Sequence, residues 1–441
     1  MFGSIVQISG VTRFFELFGN LVARKFKAGP ALATVISCGL MGSLTGQVGS
    51  DIAIIGSYAV PSMRRAGYSN EQIAAILAAA GTAGPIVPPV LGIVAFIMAG
   101  ITGIPYPKIA AAAVIPALLY VFSVSAAVEL EARKTRPHYS PNGQVDLKEL
   151  ALFGGMFGFG VAIIVYLFVK GFPPMTVAFW ATILMIGATA CTKRTRLNAI
   201  KLLDAFREAS KLGSEIALTC ALLGVLVGVM EITGLAMKLP IFVEAAFAGT
   251  LPLLLIMAAL VAIVLGMGMP ASAAYILVAL IMCPTLLKFG LSVLSAHYFA
   301  YYFANFSFLT PPVALAALFA SRLTGADYFK TGLKACKYGL SAFIIPFFFP
   351  WSQAVLGDFS TGVKGLLEVL TSFLVLTSVQ NAISGLGRLH KKLVLVGTAV
   401  FGFGFLVTDQ LIFFVLAFAL GLSVLLWSLR TSKIQKAEYV R

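Results

Sequence analysis

The sequence predicts an all-α polytopic membrane protein with an inverted repeat, and three observations support this fold class. The chain is 59% hydrophobic and only 11% charged, and long uncharged stretches separate its charged residues, as in proteins that cross a bilayer several times. Residues 61–89 and 284–312 share an outline at a constant offset of 223, including a double proline near the end of each segment. Lysine and arginine also collect on one side of the topology that these segments imply.

In the first half, segment lengths and helix breakers predict the elements. Residues 11–27 mix aromatic with basic residues, which predicts an amphipathic helix lying in the membrane interface. Residues 29–44 and 52–63 are each too short to cross a hydrocarbon core of about 30 Å, so they predict a re-entrant hairpin with a polar, glycine-rich tip. Residues 71–102 are long enough to cross, but the glycines and prolines at 81–89 predict two half-helices joined by unwound backbone.

The second half is predicted to repeat this order. An amphipathic arm at 237–248 precedes a hairpin at 251–287, with its tip at 266–270, and a broken helix at 295–321. Full spans are expected at 107–130, 150–172, 174–191, 213–236, 329–350, 363–386, 392–408 and 410–428. Five crossings separate corresponding points of the two broken helices, and an odd number makes the repeat inverted. Counting a hairpin as two spans would not change this parity.

The basic residues orient this topology. When the Arg64-Arg65 loop is placed on one side, 27 of the 32 lysines and arginines fall on that side, including those in the loops at 131–149 and 192–212. The positive-inside rule makes this side cytoplasmic, with the C-terminus inside the cell and the chain in the plasma membrane. The net charge of +15 therefore reflects topology rather than nucleic-acid binding. The five cysteines stand singly in apolar segments, so neither a disulfide nor a metal framework is expected.

Four regions follow from this arrangement: a first repeat at 1–130, cytoplasmic loops and connecting scaffold helices at 131–212, a second repeat at 213–350, and C-terminal helices with a cytoplasmic tail at 351–441. The first repeat is expected to be incomplete at its N-terminus. Ile8-Ser9-Gly10 matches Ile232-Thr233-Gly234, which lies near the end of a full helix, and the first half has no counterparts of the spans at 150–172 and 174–191. Either the start is truncated or split, or another polypeptide supplies these helices.

The hairpin tips and the interrupted helices predict one binding site at the membrane midplane. Half-helix N-termini carry partial positive charge that suits anions, and unwound carbonyls with hydroxyl side chains suit Na⁺. The candidate substrate and ion ligands are Thr45, Gly46, Gln47, Gly49, Ser50, Asp51, Thr82, Gly84, Pro88, Pro89, Gly268, Pro270, Ser272, Asn305, Ser307, Thr310, Pro311 and Pro312. Those expected to contact Na⁺ are Ser50, Asp51, Thr82, Ser272 and Thr310. The alternative is that these prolines and glycines only let tightly packed helices kink.

Asp51 is the most informative of these residues because an ionisable group at membrane depth is costly and usually functional. Two interpretations stay open. Asp51 either caps the second hairpin leg, from Ile52 onward, by accepting its free amides, or it binds the coupling cation or a proton. Other residues are assigned to the membrane surface: Glu231 and Asp409 at the outer interface, His297 as an interfacial histidine, and Phe347–Phe349 with Trp351 as lipid-facing or interfacial aromatics.

From about residue 8 to 428, the chain resembles the large membrane subunit of the tripartite ATP-independent periplasmic (TRAP) transporters. The motifs that carry the resemblance are 42–51, Arg64-Arg-Ala-Gly-Tyr68, Thr82-Ala-Gly-Pro-Ile-Val-Pro-Pro89, Ala95-Phe-Ile-Met98, 266–275, Leu309-Thr-Pro-Pro-Val-Ala-Leu315 and Lys330-Thr-Gly-Leu333. The tail near Asp409 is similar to the fused form, in which large and small subunits are one polypeptide, often paired with a TAXI-type binding protein. The family commonly has Gly-Ser where this chain has Gly46-Gln47, and asparagine at the position of Asp51.

The resemblance implies an elevator-type secondary transporter that takes up a small organic anion, usually a carboxylate, with a cation that is usually Na⁺. It also implies an extracytoplasmic solute-binding protein as a partner, and a small membrane subunit or another chain that supplies the missing helices. The residues predict no cofactor other than the coupling cation, and no nucleotide-binding loop is present. The alternatives are a passive channel, a truncated remnant without activity, and a membrane-embedded enzyme, which lacks a nucleophile, base or metal cluster here.

Overall fold

The computed structural model describes residues 2–24, 26–135, 137, 146–190, 195, 197–234, 238, 250–384, 389–408 and 410–421. Within these residues the chain is 82% helical and has no strand, which confirms the predicted all-α class. Four helices of the described chain are long and apolar enough to cross a membrane: Tyr106–Thr135, Leu147–Val169, Ala271–Lys288 and Val363–Ile383. The first of these contains a local break at Ala113, so it is treated below as two helices.

Helices α1 to α8 form the first half. They are α1 (Phe2–Ile8), α2 (Thr12–Ala23), α3 (Gly29–Thr45), α4 (Val48–Arg65), α5 (Asn70–Gly81), α6 (Gly92–Thr102), α7 (Tyr106–Ala112) and α8 (Val114–Thr135). α3 is followed by Gly46, whose φ of 62° is left-handed, so only Gly46 and Gln47 separate α3 from α4. α5 begins with a capping box, because the Gln72 N–H donates to Ser69 Oγ at 3.3 Å and the Ser69 N–H donates to Gln72 Oε1 at 3.0 Å. Such a cap contributes about 1 kcal/mol.

Helices α9 to α20 continue the chain. They are α9 (Leu147–Val169), α10 (Pro174–Ala190), α11 (Ala199–Ile232), α12 (Leu251–Gly266), α13 (Ala271–Lys288), α14 (Val293–Phe306), α15 (Leu315–Thr324), α16 (Tyr328–Tyr338), α17 (Ser341–Ile344), α18 (Val363–Ser384), α19 (Leu389–Thr408) and α20 (Leu411–Gly421). α12 and α13 contact each other as α3 and α4 do. The arm expected at 237–248 lies outside the described residues except for residue 238, and so do Asp409 and the side chain of Glu231.

Each segment expected to be a broken helix consists of two helices with irregular backbone between them. The first break, residues 82–91, separates α5 from α6 and contains a 3-10 turn at Gly84–Ile86. The second break, residues 307–314, separates α14 from α15. In both breaks the peptide bond between the two prolines is cis. Prolines lack the amide that would continue the helical ladder, so the chain unwinds at these positions.

Two connecting segments differ from the prediction. The loop expected at 192–212 becomes helical from Ala199 onward, as the first part of the 34-residue α11. This segment is too polar for a bilayer, but leucine, alanine, lysine and glutamate are good helix formers. The single span expected at 329–350 is divided into α16, α17 and a 3-10 turn at Ile345–Phe348. Gly339 ends α16 and Pro346 removes an amide donor, so no continuous helix forms there.

The assignment of Phe348 and Phe349 to the lipid-facing or interfacial surface is wrong, and His297 is buried among helices as well. Phe348 and Phe349 are fully buried, and the Phe349 ring packs edge-on against Tyr302 with centroids 5.3 Å apart. His297 is only 6% exposed, and its Nδ1 lies 2.8 Å from the Tyr275 hydroxyl. Side chains that face lipid and side chains that face other helices are equally apolar, because helix association in membranes depends on packing rather than on exclusion of water.

The C-terminal helices pack directly on the rest of the chain. α18 contacts α8 as well as its neighbour α19. Glu368 of α18 is 7% exposed, and its Oε2 accepts a hydrogen bond from Ser352 Oγ at 2.6 Å. Farther along α18, Gln380 Nε2 donates to the Lys337 carbonyl at 3.2 Å. These two bonds fix α18 at two levels along its length.

Candidate functional site

The first hairpin and the first break meet through glycines. A β-carbon at Gly42 would lie 2.0 Å from the Gly84 Cα, and a β-carbon at Gly46 would lie 2.2 Å from the Gly92 Cα. The Val90 N–H donates to the carbonyl of Ser43 at 3.1 Å. Only residues without a side chain allow backbones to approach this closely, so these glycines set the distance between hairpin and break.

Asp51 lies inside this contact. It is fully buried, and its Oδ1 accepts a hydrogen bond from Thr45 Oγ1 at 2.5 Å. Its Oδ2 lies 2.7 Å from the place of a β-carbon on Gly42 and 2.5 Å from that of one on Gly84. Oδ2 has no hydrogen-bond partner among the described residues. Burial of an uncompensated charge is strongly unfavourable, so a carboxyl group in this state has to be neutralised, either by a proton or by a bound cation.

The interpretation of Asp51 as a helix cap is wrong. α4 begins at Val48, its N-cap residue is Gln47, and no side chain caps it. Asp51 therefore lies within the first turn of α4 rather than before a helix that begins at Ile52. Its carboxylate points at Thr45, at Gly42 of α3 and at Gly84 of the break instead of accepting backbone amides.

The two breaks contact each other directly. Asn305, the second-last residue of α14, donates from Nδ2 to the Thr82 carbonyl at 3.1 Å. Asn305 Oδ1 is buried without a hydrogen-bond partner in the described chain. The Thr82 hydroxyl donates to the Ala79 carbonyl at 2.9 Å and lies 2.9 Å from the hydroxyl of Tyr120 on α8. Thr82 and Asn305, both predicted as site residues, are thus brought together from opposite halves.

The carbonyls of the first break face tyrosine hydroxyls. The Tyr301 hydroxyl, from α14, hydrogen-bonds to the carbonyls of Pro85 and Leu91, the latter at 3.0 Å. The Tyr106 hydroxyl, from α7, lies 2.7 Å from the Pro89 carbonyl and 2.6 Å from the Val90 carbonyl. These four carbonyls already face protein donors, so the Asp51 carboxylate is the stronger candidate for binding a cation here.

The second hairpin meets the second break through a hydroxyl group instead of a carboxylate. Ser307 Oγ lies 2.9 Å from the Gly266 carbonyl and 2.7 Å from the Ala304 carbonyl. A β-carbon on Gly266 would lie 2.5 Å from Ser307 Oγ and 3.5 Å from the Ala274 Cβ. Thr310 Oγ1 donates back to the Ser307 carbonyl at 3.0 Å. Ser307 therefore fills the space that corresponds to the Asp51 carboxylate in the first half.

The other predicted residues are distributed around these two contacts. Gly49 faces α15, because a β-carbon there would lie 3.2 Å from the Phe319 ring. Ser272 is 6% exposed in the first turn of α13, and Pro270 precedes that helix. The partly or fully exposed members are Thr45, Gly46, Gln47, Gly49, Ser50, Pro88, Pro89, Gly268, Pro270, Thr310, Pro311 and Pro312. The contacts described above bring together Thr45 with Asp51, Asp51 with Gly84, and Thr82 with Asn305.

Several tyrosines at the breaks were not predicted. Besides Tyr106, Tyr120 and Tyr301, the Tyr328 hydroxyl donates to the Pro312 carbonyl at 2.5 Å. A buried tyrosine hydroxyl usually finds a partner, and this is the only signal that the sequence carries for them. The partners of Tyr301 lie 216 and 210 residues away along the chain, so no local pattern identifies them.

Comparison with known proteins identifies the family to which the chain belongs. Residues 1–357 match the family described as tripartite ATP-independent periplasmic transporter, DctM component. The C4-dicarboxylate TRAP transporter large permease protein of Pseudomonas aeruginosa is 31% identical over 147 residues, which is 33% of this chain and 34% of that protein. The isethionate TRAP transporter permease protein of Oleidesulfovibrio alaskensis is 25% identical over 338 residues, which is 74% of this chain and 51% of that protein.

The alignments with individual relatives are partial. A C4-dicarboxylate large permease of Vibrio cholerae aligns over 28% of its own length, so the chain spans between about a quarter and a half of the length of these relatives. The family match is much longer. Because it extends over residues 1–357 of 441, the chain belongs to the DctM component family of the tripartite ATP-independent periplasmic transporters.

Proposed function

We propose that this chain is the permease of a secondary active transporter that uses a Na⁺ gradient to take up a small organic anion such as a carboxylate. An extracytoplasmic solute-binding protein delivers the anion. Membership of the family supports both statements, and the names of two relatives refer to organic anions, C4-dicarboxylates and isethionate. A small membrane subunit is a further partner, either as a separate chain or fused as in a DctMQ permease.

The observation that carries this proposal is the buried, unpartnered oxygen of Asp51 between Gly42 and Gly84. An ionised carboxylate at this depth needs a compensating positive charge. The ion-pair contacts of the described residues do not include Asp51. A bound monovalent cation supplies that charge, and carboxylate, hydroxyl and amide oxygens are the donors that hard cations prefer. In this proposal Asp51 is the main ligand. Asn305 Oδ1, on α14, is another buried oxygen without a hydrogen-bond partner among the described residues, and Nδ2 of the same side chain donates to Thr82 of the first break.

The anion is proposed to bind where helix N-termini converge. α4 and α13 begin directly after the two hairpin tips, and α6 and α15 begin directly after the two breaks. Free amides and the helix dipole give each of these ends partial positive charge. This arrangement attracts a carboxylate without an arginine or lysine, and it agrees with the half-helix sites that secondary transporters use.

Contacts that recur in both halves support an inverted repeat. Tyr106 donates to Pro89, and Tyr328 donates to Pro312; the two prolines are 223 residues apart and the two tyrosines 222. Thr82 and Asn305 also correspond, being 223 residues apart, and they contact each other. Equivalent residues touch in this way only near a two-fold axis. The axis of an inverted repeat lies in the membrane plane and passes through the substrate site.

An elevator movement is the proposed transport step. The two hairpins and two breaks are bonded to one another through Val90 and Ser43, Asn305 and Thr82, and Ser307 and Gly266. α9 and α10 pack mainly on α1, α2 and each other, with a smaller contact between α9 and α7. The hairpins and breaks therefore form the body that moves, and α9, α10 and the arms form the scaffold, with the basic loops and the C-terminus on the cytoplasmic side.

The test is uptake of a radiolabelled C4-dicarboxylate into proteoliposomes that contain the purified chain, with its solute-binding protein added outside. Accumulation that collapses when the Na⁺ gradient is removed supports coupled transport. Uptake that only equilibrates across the membrane would instead favour a channel. Replacement of Na⁺ by choline controls for ionic strength, and omission of the binding protein measures its contribution.

Asp51→Asn tests the cation site. The substitution keeps the size of the side chain and the acceptor for Thr45 but removes the charge, so the Na⁺ concentration for half-maximal uptake should rise about tenfold or more. Asp327→Asn is the matched control, because Asp327 caps α16 at 2.8 Å from the Lys330 amide and asparagine caps equally well. Unchanged Na⁺ stimulation in Asp51→Asn would remove the proposed role.

A further inference from the structure

α14 reaches from the second half into the first break at two points one helical turn apart. Asn305 donates to the Thr82 carbonyl at 3.1 Å. Tyr301, four residues earlier and on the same face of the helix, hydrogen-bonds to the carbonyls of Pro85 and Leu91. Its side chain is only 1% exposed. The hydroxyl of one residue thus contacts both ends of the unwound segment that lies between Pro85 and Leu91.

The residues next to these two carbonyls are the ones that touch the first hairpin. Gly84 precedes Pro85 and packs on Gly42, and Gly92 follows Leu91 and packs on Gly46. The Asp51 carboxylate lies against both Gly42 and Gly84. Since the break is irregular backbone with few hydrogen bonds of its own, the Tyr301 hydroxyl helps to fix the distance between its ends. That distance sets the shape of the space around Asp51.

This hydrogen-bonded connection has no counterpart in the other half. At an offset of 223, the position that corresponds to Tyr301 is Ala78, and the position that corresponds to Tyr302 is Ala79. Alanine has no group that could bond to the second break. Tyr301 therefore couples the position of α14 to that of the first break, and the corresponding position on α5 has no hydroxyl that could bond to the second break.

We propose that Tyr301 is a positioning residue through which the second broken helix controls the cation site at Asp51. The inference rests on the proposed function, because it assigns the cation to the first half and lets the anion act on α14. When the anion settles at the second break, α14 holds Pro85 and Leu91 in the arrangement that favours the cation. The two ligands then strengthen each other's binding by the same factor.

Tyr301→Phe and Tyr302→Phe form a matched pair. Both tyrosines are fully buried in the same helix, and both changes remove one hydroxyl. The Tyr302 hydroxyl has no hydrogen-bond partner among the described residues, so its loss should cost little. Tyr301→Phe removes the hydrogen bonds to the carbonyls of Pro85 and Leu91 and should raise the Na⁺ concentration for half-maximal C4-dicarboxylate uptake about tenfold. Tyr302→Phe should stay within about twofold of the unmodified protein. Equal effects of the two variants, or no effect of Tyr301→Phe, would overturn the inference.

Hydrogen–deuterium exchange provides a second readout that does not require transport. In the full-length protein in detergent, Tyr301→Phe should increase exchange of the amides of Ile86, Val87, Val90, Leu91 and Gly92 relative to Tyr302→Phe, with α9 and α10 unchanged as a check on folding. Unaltered exchange across this segment would show that Tyr301 does not hold it, which overturns the inference. Absence of uptake by the unmodified protein would contradict the proposed function instead. The exchange measurement would still show whether the Tyr301 hydroxyl stabilises the backbone of the first break.

Discussion

Gly42→Ala should disrupt the contact between the first hairpin and the first break. A β-carbon at this position would lie 2.0 Å from the Gly84 Cα and 2.7 Å from Asp51 Oδ2. Ordinary contacts begin at 3.4 Å, so the backbone of the break would have to retreat by about 1.4 Å. Gly39, three residues earlier in α3, is the matched control, because a β-carbon there meets only Val121 Cγ2 at 3.7 Å.

The expected magnitudes separate the two variants. Alanine is favoured over glycine inside a helix by about 1 kcal/mol, and both substitutions gain this. Gly42→Ala also introduces overpacking, which typically costs about 1–3 kcal/mol, so its stability should fall slightly while that of Gly39→Ala should rise. The effect on uptake should be larger, because a displacement of about 1 Å at a binding site can reduce a rate on the order of 100-fold.

The assay measures Na⁺-driven uptake of a C4-dicarboxylate in proteoliposomes together with the apparent melting temperature in detergent. Gly39→Ala should transport normally and melt at the same temperature or higher. Gly42→Ala should lose most uptake at a melting temperature close to that of the unmodified protein. If both variants transported equally well, the close approach of Gly42 to Gly84 would have no part in the function, and the site described above would be misplaced.

Two further predictions concern stability. Ser69→Ala removes the cap of α5 and should lower the free energy of unfolding by about 1 kcal/mol, which is measured as a lower apparent melting temperature. Ser57→Ala is the control, because the exposed Ser57 hydroxyl bonds only within α4, and it should leave the melting temperature unchanged. Lys337→Ala breaks an ion pair in which Nζ lies 3.1 Å from Glu131 Oε2 and the side chains are 33% and 19% exposed. Its effect should be below about 1 kcal/mol after allowance for solvent screening, and should shrink further when the melting is repeated in high salt.

Local chemistry explains what could be predicted from the sequence. The two breaks were predicted from their prolines and glycines, whose effect on backbone hydrogen bonds does not depend on distant residues. The first hairpin tip was predicted too long, because Gly49, Ser50 and Asp51 have the composition of a loop. In the structure they belong to α4, which begins at Val48. Asp51, predicted as a site residue, is buried at the contact between the first hairpin and the first break, although the secondary structure around it was misassigned.

Long-range packing explains what could not be predicted. Hydropathy does not distinguish a phenylalanine that faces lipid from Phe349, which packs on Tyr302. It also does not reveal that Tyr301 reaches carbonyls 216 and 210 residues away. The filling of the second contact by Ser307 likewise depends on its approach to Gly266, which lies 41 residues earlier. These features require the folded chain.

The packing of α18 shows that the folded structure continues past the residue at which the family match ends. The family match ends at residue 357, yet Ser352, on one side of that limit, donates to Glu368 on the other. The Phe348 ring likewise faces Phe403 at 6.3 Å between centroids. A chain cut after residue 357 would expose the buried Ser352 hydroxyl and an aromatic surface that packs on protein rather than on lipid. Any minimal version of this permease therefore has to retain α18 and α19.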